Sequence, residues 1–157
     1  AEQTIDAAQQ VIGQRNPCQT KKAYLLGAAG YDPQAIVASG GMSAHLGERY
    51  GTEARFVSDL MQAAPALQTP IVQGLPYTEA EVLYAVRHEL AGTVEDVLSR
   101  RMRARLMARD ASALAAARVG QILQSELGLA PTVITQQVND YLVAIQHEKS
   151  VLMGDKE

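Results

Sequence analysis

The stretch from Tyr77 to Leu106 constrains the fold of this chain more than any other segment. Apolar side chains recur in it at spacings of three and four residues, the periodicity of a helix with one buried face. Thr78, with Glu81 three residues later, has the pattern of a capping box, which marks the start of a helix. The stretch therefore predicts a long amphipathic helix. Gly92 predicts a kink or break within it, because glycine costs about 1 kcal/mol relative to alanine inside a helix.

Two arginines, Arg87 and Arg101, lie among the apolar positions of this stretch. Neither has an acidic residue on the same face of the helix, so any partner must come from another helix or another chain. Glu89, Asp96 and Arg100 cluster on a neighbouring flank, and the last two are four residues apart, which lets them pair. We interpret these five residues as a polar network within the fold or as helix-end contacts; a domain or subunit interface and a ligand site are the alternatives. If Arg87 is buried and paired, replacing it by alanine is expected to cost about 2–4 kcal/mol.

The rest of the chain also consists of helical patterns, separated by prolines and glycines. Helices are predicted over 2–13, 34–38, 43–51, 53–63 and 110–127, and from Pro131 onwards. Asp32 and Asp110 are predicted to cap the helices 34–38 and 110–127, and one face of the last helix is expected to carry Ile134, Val138, Tyr141, Leu142 and Ile145. Only "AYLLGAAGYD" and the pair Ile71–Val72 have the pattern of short extended pieces. The sequence therefore predicts an all-α fold, an irregular bundle of about seven or eight helices with at most a very short extended pair.

Composition excludes several classes of function. The 157 residues, 47% hydrophobic and 20% charged, are sufficient for one domain with a core. A net charge of -3 argues against a dedicated nucleic-acid-binding protein. Cys18 is the only cysteine and the three histidines have no partner at ligand spacing, so neither a disulfide nor a metal site is predicted. No apolar run approaches the roughly 18 residues needed to cross a bilayer.

No set of residues in the chain has the pattern of a catalytic site. "LLGAAGYDP" contains neither GxGxxG nor GxxxxGK[ST], so its glycines are interpreted as turn residues rather than as a phosphate loop. Glu89 and Asp96 share a helix face, but arginines beside them favour ionised carboxylates, which do not suit a general acid. We therefore expect no catalytic, cofactor-binding or metal-binding residue here. The chain opens directly into a helical pattern without an initiator methionine, as expected of a piece of a larger protein.

Between Tyr77 and Arg103 the sequence is specific enough to indicate a family. "LPYTEAEVLYAVRHELAGTVEDVLSRRMR" resembles the C-terminal helical domain of the FAD-dependent, quinone-linked glycerol-3-phosphate dehydrogenases. Upstream, "AEQTIDAA", "PCQT" and "HLGERYG" resemble further segments of that family. The residues that match the family's motif are Glu81, Val82, Tyr84, Ala85, Val86, Arg87, Glu89, Ala91, Thr93, Asp96, Leu98, Arg100, Arg101 and Arg103.

This resemblance implies a parent flavoenzyme that oxidises sn-glycerol 3-phosphate to dihydroxyacetone phosphate and passes electrons through FAD to a quinone. It places FAD and substrate in a flavin domain outside this chain, which is itself expected to be inactive and to contact that domain. Within one folded domain, residues 1–15 would be the end of the last flavin-domain helix. Residues 16–76 would form a connector region of loops and short helices, and 77–157 would form the main helical bundle. A cytoplasmic location is implied, and peripheral contact with the inner face of the cytoplasmic membrane and a homo-oligomer are left open.

The basic run from Arg100 to Arg109 supports an alternative hypothesis. A freestanding helical binding or assembly module could use this surface for acidic partners or membrane lipid. The run lacks interleaved aromatic residues, and the domain around it is not basic. We therefore favour the interpretation of a solvated, salt-bridged helix end.

Overall fold

The computed structural model describes residues 2–13, 16 and 18–154. Pro17 of the "PCQT" segment and the tail 155–157 lie outside the described residues. The fold class predicted from the sequence is confirmed, since the described residues form eight α-helices and no strand. The helices are α1 (Glu2–Val11), α2 (Pro33–Ser39), α3 (Gly41–Tyr50), α4 (Ala54–Ala63), α5 (Glu79–His88), α6 (Ala104–Met107), α7 (Arg109–Leu127) and α8 (Pro131–Met153). Single 3₁₀ turns at Gly51–Glu53 and Pro65–Gln68 and a π turn at Asp96–Arg101 complete the set. None of these helices is both long and apolar enough to cross a membrane.

The chain divides into two compact units, one up to Ala54 and one from Arg55. In the first unit, α2 begins as predicted, because the Asp32 carboxylate accepts hydrogen bonds from the amides of Gln34 and Ala35 at 2.9 and 3.2 Å. Neither α1 nor α2 contains a buried residue. The buried residues of α3 are Leu46, Gly47 and Tyr50.

Two glycines bring the loop that contains "AYLLGAAGYD" against the end of α3. Gly27 and Gly51 have φ angles of 80° and 58°, and a Cβ atom on either would overlap the backbone of the other segment. The Thr52 amide donates a hydrogen bond to the Gly27 carbonyl at 3.0 Å. The interpretation of the glycines in "LLGAAGYDP" as turn residues is confirmed, since Gly27 and Gly30 lie in turns with positive φ angles. The predicted short strand is wrong, because this local contact and successive turns replace a strand partner.

The predicted long helix from Thr78 to Leu106 is wrong: the segment forms three pieces. The capping box at its start is confirmed, with the Thr78 amide donating to Glu81 at 2.8 Å. The predicted break is also confirmed, since α5 ends at His88 and Leu90 takes a left-handed φ of 57°. The Ala91 amide closes α5 by donating to the Ala85 carbonyl at 3.1 Å. The π turn, Arg103 with a φ of 56°, and α6 then follow.

The core of the second unit is built around α7 and α8. Gly128, in the left-handed conformation, ends α7, and Pro131 begins α8; both positions are as predicted. The predicted cap of α7 at Asp110 is wrong, because the helix begins at Arg109 and places Asp110 inside its first turn. The predicted apolar face of α8 is confirmed. Its residues Ile134, Tyr141 and Ile145 are buried, while Val138 and Leu142 pack against the same core.

The connector before α5 contributes the only bridge between extended residues in the described part of the chain. It joins Pro70 and Thr78, and the Ile71 amide donates to the Tyr77 carbonyl at 2.9 Å. Ile71 and Val72 are both buried. The bridge is formed by Pro70 rather than by the predicted pair Ile71–Val72, which lies in a bend and places two apolar side chains in the core.

Candidate functional site

The residues predicted to form a polar network lie between Arg87 at the end of α5 and Arg101 in the π turn, and the structure divides them among separate contacts. Arg87 forms a two-pronged ion pair with Glu126 of α7: Nε donates to Oε2 at 2.8 Å, and Nη2 donates to Oε1 at 3.0 Å. The hydrogen bond to Glu126 raises the pKa of Arg87 and outweighs the opposing effect of burial. The partner lies on another helix, as expected, because the helix face that carries Arg87 has no acidic residue. Nothing in the sequence indicates that it is Glu126.

Arg87 is paired but not buried, so the condition under which the sequence predicted a loss of about 2–4 kcal/mol is not met. Its side chain is 43% exposed. We expect Arg87→Ala to lower the free energy of unfolding by about 0.5–1 kcal/mol, because exposed ion pairs compete with water. A double-mutant cycle with Glu126→Ala, measured by urea unfolding at low and high salt, tests this. A loss above about 2 kcal/mol that is insensitive to salt would contradict it.

Arg101 caps the end of α5 rather than joining the Arg87 pair. Its Nε and Nη2 atoms donate to the backbone carbonyl of Glu89 at 2.9 and 2.6 Å. The Glu89 carboxylate lies 3.9 Å from the same Nε. A cation at a helix C-terminus stabilises the carbonyls that have no partner within the helix. Arg101 therefore holds the π turn against the end of α5.

Asp96 organises the start of the next helical piece. Its carboxylate accepts hydrogen bonds from the amides of Gly92 and Thr93 at 3.2 and 3.0 Å and from Arg100 at 2.6 Å. The Asp96 amide donates in return to the Thr93 hydroxyl at 3.0 Å, which completes a second capping box. Burial alone would raise the pKa of Asp96, but the hydrogen bonds from Thr93, Gly92 and Arg100 together lower it. The spacing of Thr93 and Asp96 is a signal from which this box could have been predicted.

The lowered pKa of Asp96 makes the stability of the chain depend on pH. A carboxyl whose pKa is lower in the folded state stabilises the fold above its unfolded pKa, about 3.9, and loses that effect as pH falls through the folded value. We expect Asp96→Asn to cost about 1 kcal/mol between pH 7 and pH 5, and the difference from wild type to shrink below about pH 3.9. Urea unfolding across this range measures it. Asp59→Asn, at an exposed position, is the control and should change stability by less than about 0.5 kcal/mol at pH 7.

Arg105 is the most heavily engaged side chain of the region, and no pattern in the sequence distinguishes it from the other arginines of the basic run. It donates to Glu95 at 2.9 Å and to Glu148 of α8 at 2.7 Å, and its guanidinium lies 5.5 Å from the centre of the Tyr141 ring. Burial alone would lower the pKa of Arg105, but the bond to Glu148 and the two negative charges raise it. The side chain is 16% exposed. Glu148 lies 43 residues away, so no local pattern indicates this contact.

Other basic side chains of α7 and α8 also form ion pairs. Arg118 of α7 makes a two-pronged pair with the buried Glu79 of α5, both bonds being 2.7 Å long. Asp110 pairs with Lys149 at 2.8 Å and with Arg109 at 3.4 Å. Within the basic run, each of the other arginines thus contacts a carboxylate, and only the exposed Arg103 has no such contact among the described residues.

An open surface cavity of about 930 Å³ lies beside Arg105. Its charged lining residues are Glu95, Arg105, Arg109, Asp110 and Glu148, which are already paired with one another or with a neighbour. Binding of a phosphate group requires amides or cations that are free to meet it. The cavity offers a mixed, internally satisfied surface instead.

Three of the described helix starts are unsuited to a dinucleotide such as FAD. The starts of α2, α5 and the piece containing the π turn are held by the carboxylates of Asp32, Glu81 and Asp96. A pyrophosphate at any of these positions would meet a negative charge in place of open amides. The residues at these three starts therefore do not fit a flavin dinucleotide. Within the described ranges, no three His, Cys, Asp or Glu side chains lie close enough to hold a metal ion.

Comparisons with known proteins give one family and several relatives. Residues 18–133 match the family described as the C-terminal domain of alpha-glycerophosphate oxidase. The chain is 34% identical over 150 residues to the mitochondrial glycerol-3-phosphate dehydrogenase SDP6 of Arabidopsis thaliana, covering 80% of this chain and 24% of that protein. It is 32% identical over 161 residues to glycerol-3-phosphate dehydrogenase 2 of Mycobacterium tuberculosis, covering 94% of this chain and 27% of that protein. The chain thus spans about a quarter of the length of these relatives. No solved structure matches it.

Proposed function

Because this chain belongs to the family of the C-terminal domain of alpha-glycerophosphate oxidase, we propose that it is the C-terminal domain of a larger oxidoreductase. In this proposal the parent oxidises sn-glycerol 3-phosphate to dihydroxyacetone phosphate. The observation that carries the proposal is the family match over 18–133, and the names of the relatives support it. FAD as the cofactor and a quinone as the electron acceptor rest on the resemblance of the 77–103 motif alone.

The chain itself would have a structural role, and the parent's redox chemistry would take place in the portion that precedes it. Two observations support this assignment. Arg87, Arg101 and Arg105 are engaged by groups of the same chain, so none is left to hold a substrate phosphate. The starts of α2, α5 and the piece containing the π turn are occupied by carboxylates, which repel a dinucleotide. The site residues of the motif would then fix the geometry of a domain that packs on the flavin-binding portion.

The alternative of a freestanding module with a basic surface has less support. Such a surface would need several free cations along Arg100–Arg109. Arg105, which that hypothesis needs for contact with lipid, is 16% exposed and holds two carboxylates. Since quinones are lipid-soluble, we place the cytoplasmic parent at the inner face of the membrane through its other portion rather than through this run.

Flavin binding and dye reduction test the proposal. We expect the purified chain to stay colourless after addition of FAD and to reduce no dye with glycerol 3-phosphate. The full-length parent should bind flavin and reduce the dye with that substrate. Stoichiometric flavin binding by the chain alone would contradict its structural role, and a full-length parent inactive on glycerol 3-phosphate would contradict the assigned reaction.

A further inference from the structure

Three consecutive apolar side chains in the first unit are exposed. Tyr24, Leu25 and Leu26 are 80%, 82% and 87% accessible, and they form the longest run of large exposed apolar residues in the described part of the chain. Single exposed apolar residues are common on protein surfaces, but a contiguous group marks a site of interaction. The run therefore needs a cover that the other described residues of the first unit do not supply.

The backbone on both sides of the run is fixed by hydrogen bonds. Before it, the Ala23 amide donates to the Gln19 carbonyl at 3.1 Å. After it, Gly27 accepts from the Thr52 amide at 3.0 Å, and its lack of a Cβ lets the loop meet the backbone of Gly51. The three side chains are thus presented from a defined base, which lowers the entropy cost of docking.

The position of the run in the chain indicates its partner. The family domain begins at residue 18, six residues before Tyr24. Upstream of it, Glu2 at the start of α1 pairs with Lys21 at 2.9 Å. In a longer parent, the portion that precedes residue 1 would therefore join the chain close to the run. That portion is held close to the run by the chain itself.

We propose that Tyr24, Leu25 and Leu26 form the surface on which the preceding portion of the parent docks, through an apolar hollow on that portion. This inference rests on the proposed function. A second copy of the chain is a poorer occupant, because a stable dimer buries about 800 Å² on each partner, more than three side chains provide. A covalently linked partner needs less area, since linkage gives it a high effective concentration. The exposed Lys22 beside the run fits a hollow bordered by an acidic group.

Photocrosslinking in the full-length parent tests this surface. A photoreactive phenylalanine analogue at Leu25 should crosslink within the same polypeptide, to peptides of the portion that precedes residue 1 of this chain. The same analogue at Glu48, an exposed polar position of α3, is the matched control and should give a several-fold lower yield of that product. Crosslinks between two copies, no crosslink, or equal yields from both positions would each overturn the inference.

A second variant gives an independent measurement. Replacing Tyr24, Leu25 and Leu26 together by serine should lower the melting temperature of the full-length parent by several degrees and increase its cleavage by protease near residue 18. An unchanged melting temperature and cleavage pattern would contradict docking. Flavin content and oxidation of glycerol 3-phosphate by the unmodified parent are measured separately. A parent that is active while the Leu25 crosslink fails would reject this surface and leave the proposed function standing.

Discussion

Replacing Gly120 by valine is expected to lower the free energy of unfolding by about 3 kcal/mol, because α7 and α8 approach each other at this glycine. A Cβ atom at Gly120 would lie 2.9 Å from Cγ2 of Ile134 and 3.1 Å from Cγ2 of Val138. Both neighbours are β-branched and have few rotamers to escape into. The helices would have to separate and open the core, which is the cost of overpacking.

Thermal and urea unfolding of the chain measure this effect. For a chain of this size, a loss of about 3 kcal/mol corresponds to a fall of about 6–12 °C in melting temperature. Gly92→Ala is the matched control. Its Cβ would meet only Asp96, at 4.0 Å, and its φ is not positive, so we expect no loss and a gain of up to about 1 kcal/mol. Wild-type stability in Gly120→Val would show that this glycine does not set the spacing of α7 and α8.

The elements that could be predicted from the sequence are those with a local chemical signal. Asp32 before Pro33 and Thr78 before Glu81 each satisfy the free amides of a helix start within a few residues, so the signal and its structural effect are adjacent. Pro131 likewise marks the start of α8. These helix starts were predicted correctly because no distant residue is needed to form them.

The segment 77–106 was predicted as one long helix with a kink or break at Gly92, because apolar periodicity persists on both sides of that position. Val86 at the end of α5 and Val94 and Val97 after it all pack on the same core, so the pattern of spacings does not register the change of direction. Leu90 adds to the error, since a left-handed conformation is expected of glycine rather than of leucine. Only Thr93 with Asp96 marked the new start.

Each of the five polar residues selected from the sequence contacts another residue of the described chain. Only the contact between Asp96 and Arg100 could be predicted. Asp96 and Arg100 meet four residues apart on one helical piece, as helix geometry dictates. Arg87 depends on Glu126, 39 residues away, and Arg101 bonds to a carbonyl rather than to a carboxylate. Such contacts depend on which elements pack together, and helical periodicity in one segment carries no information about its neighbour.

Arg105→Ala is expected to lower the free energy of unfolding by about 2–3 kcal/mol. The guanidinium joins Glu95, which precedes the π turn, to Glu148 on α8, and it covers the Tyr141 ring. Its removal leaves two carboxylates without their cation and exposes part of the core. The loss stays below that of a fully buried pair because the two carboxylates are 36% and 45% exposed and can be rehydrated. Chemical unfolding at pH 7 measures it.

Two substitutions separate the contribution of Arg105 from that of positive charge in general. Arg103→Ala removes a neighbouring arginine that is exposed and contacts no carboxylate in the described chain, so it should change stability by less than about 0.5 kcal/mol. Arg105→Lys keeps the charge but loses the planar fork, which alone can serve two carboxylates and stack on a ring; it should retain about half of the stabilisation. If Arg103→Ala cost as much as Arg105→Ala, the charge of the segment rather than the bridge to α8 would be responsible. If Arg105→Lys matched wild type, the directed bonds to Glu95 and Glu148 would contribute nothing beyond charge.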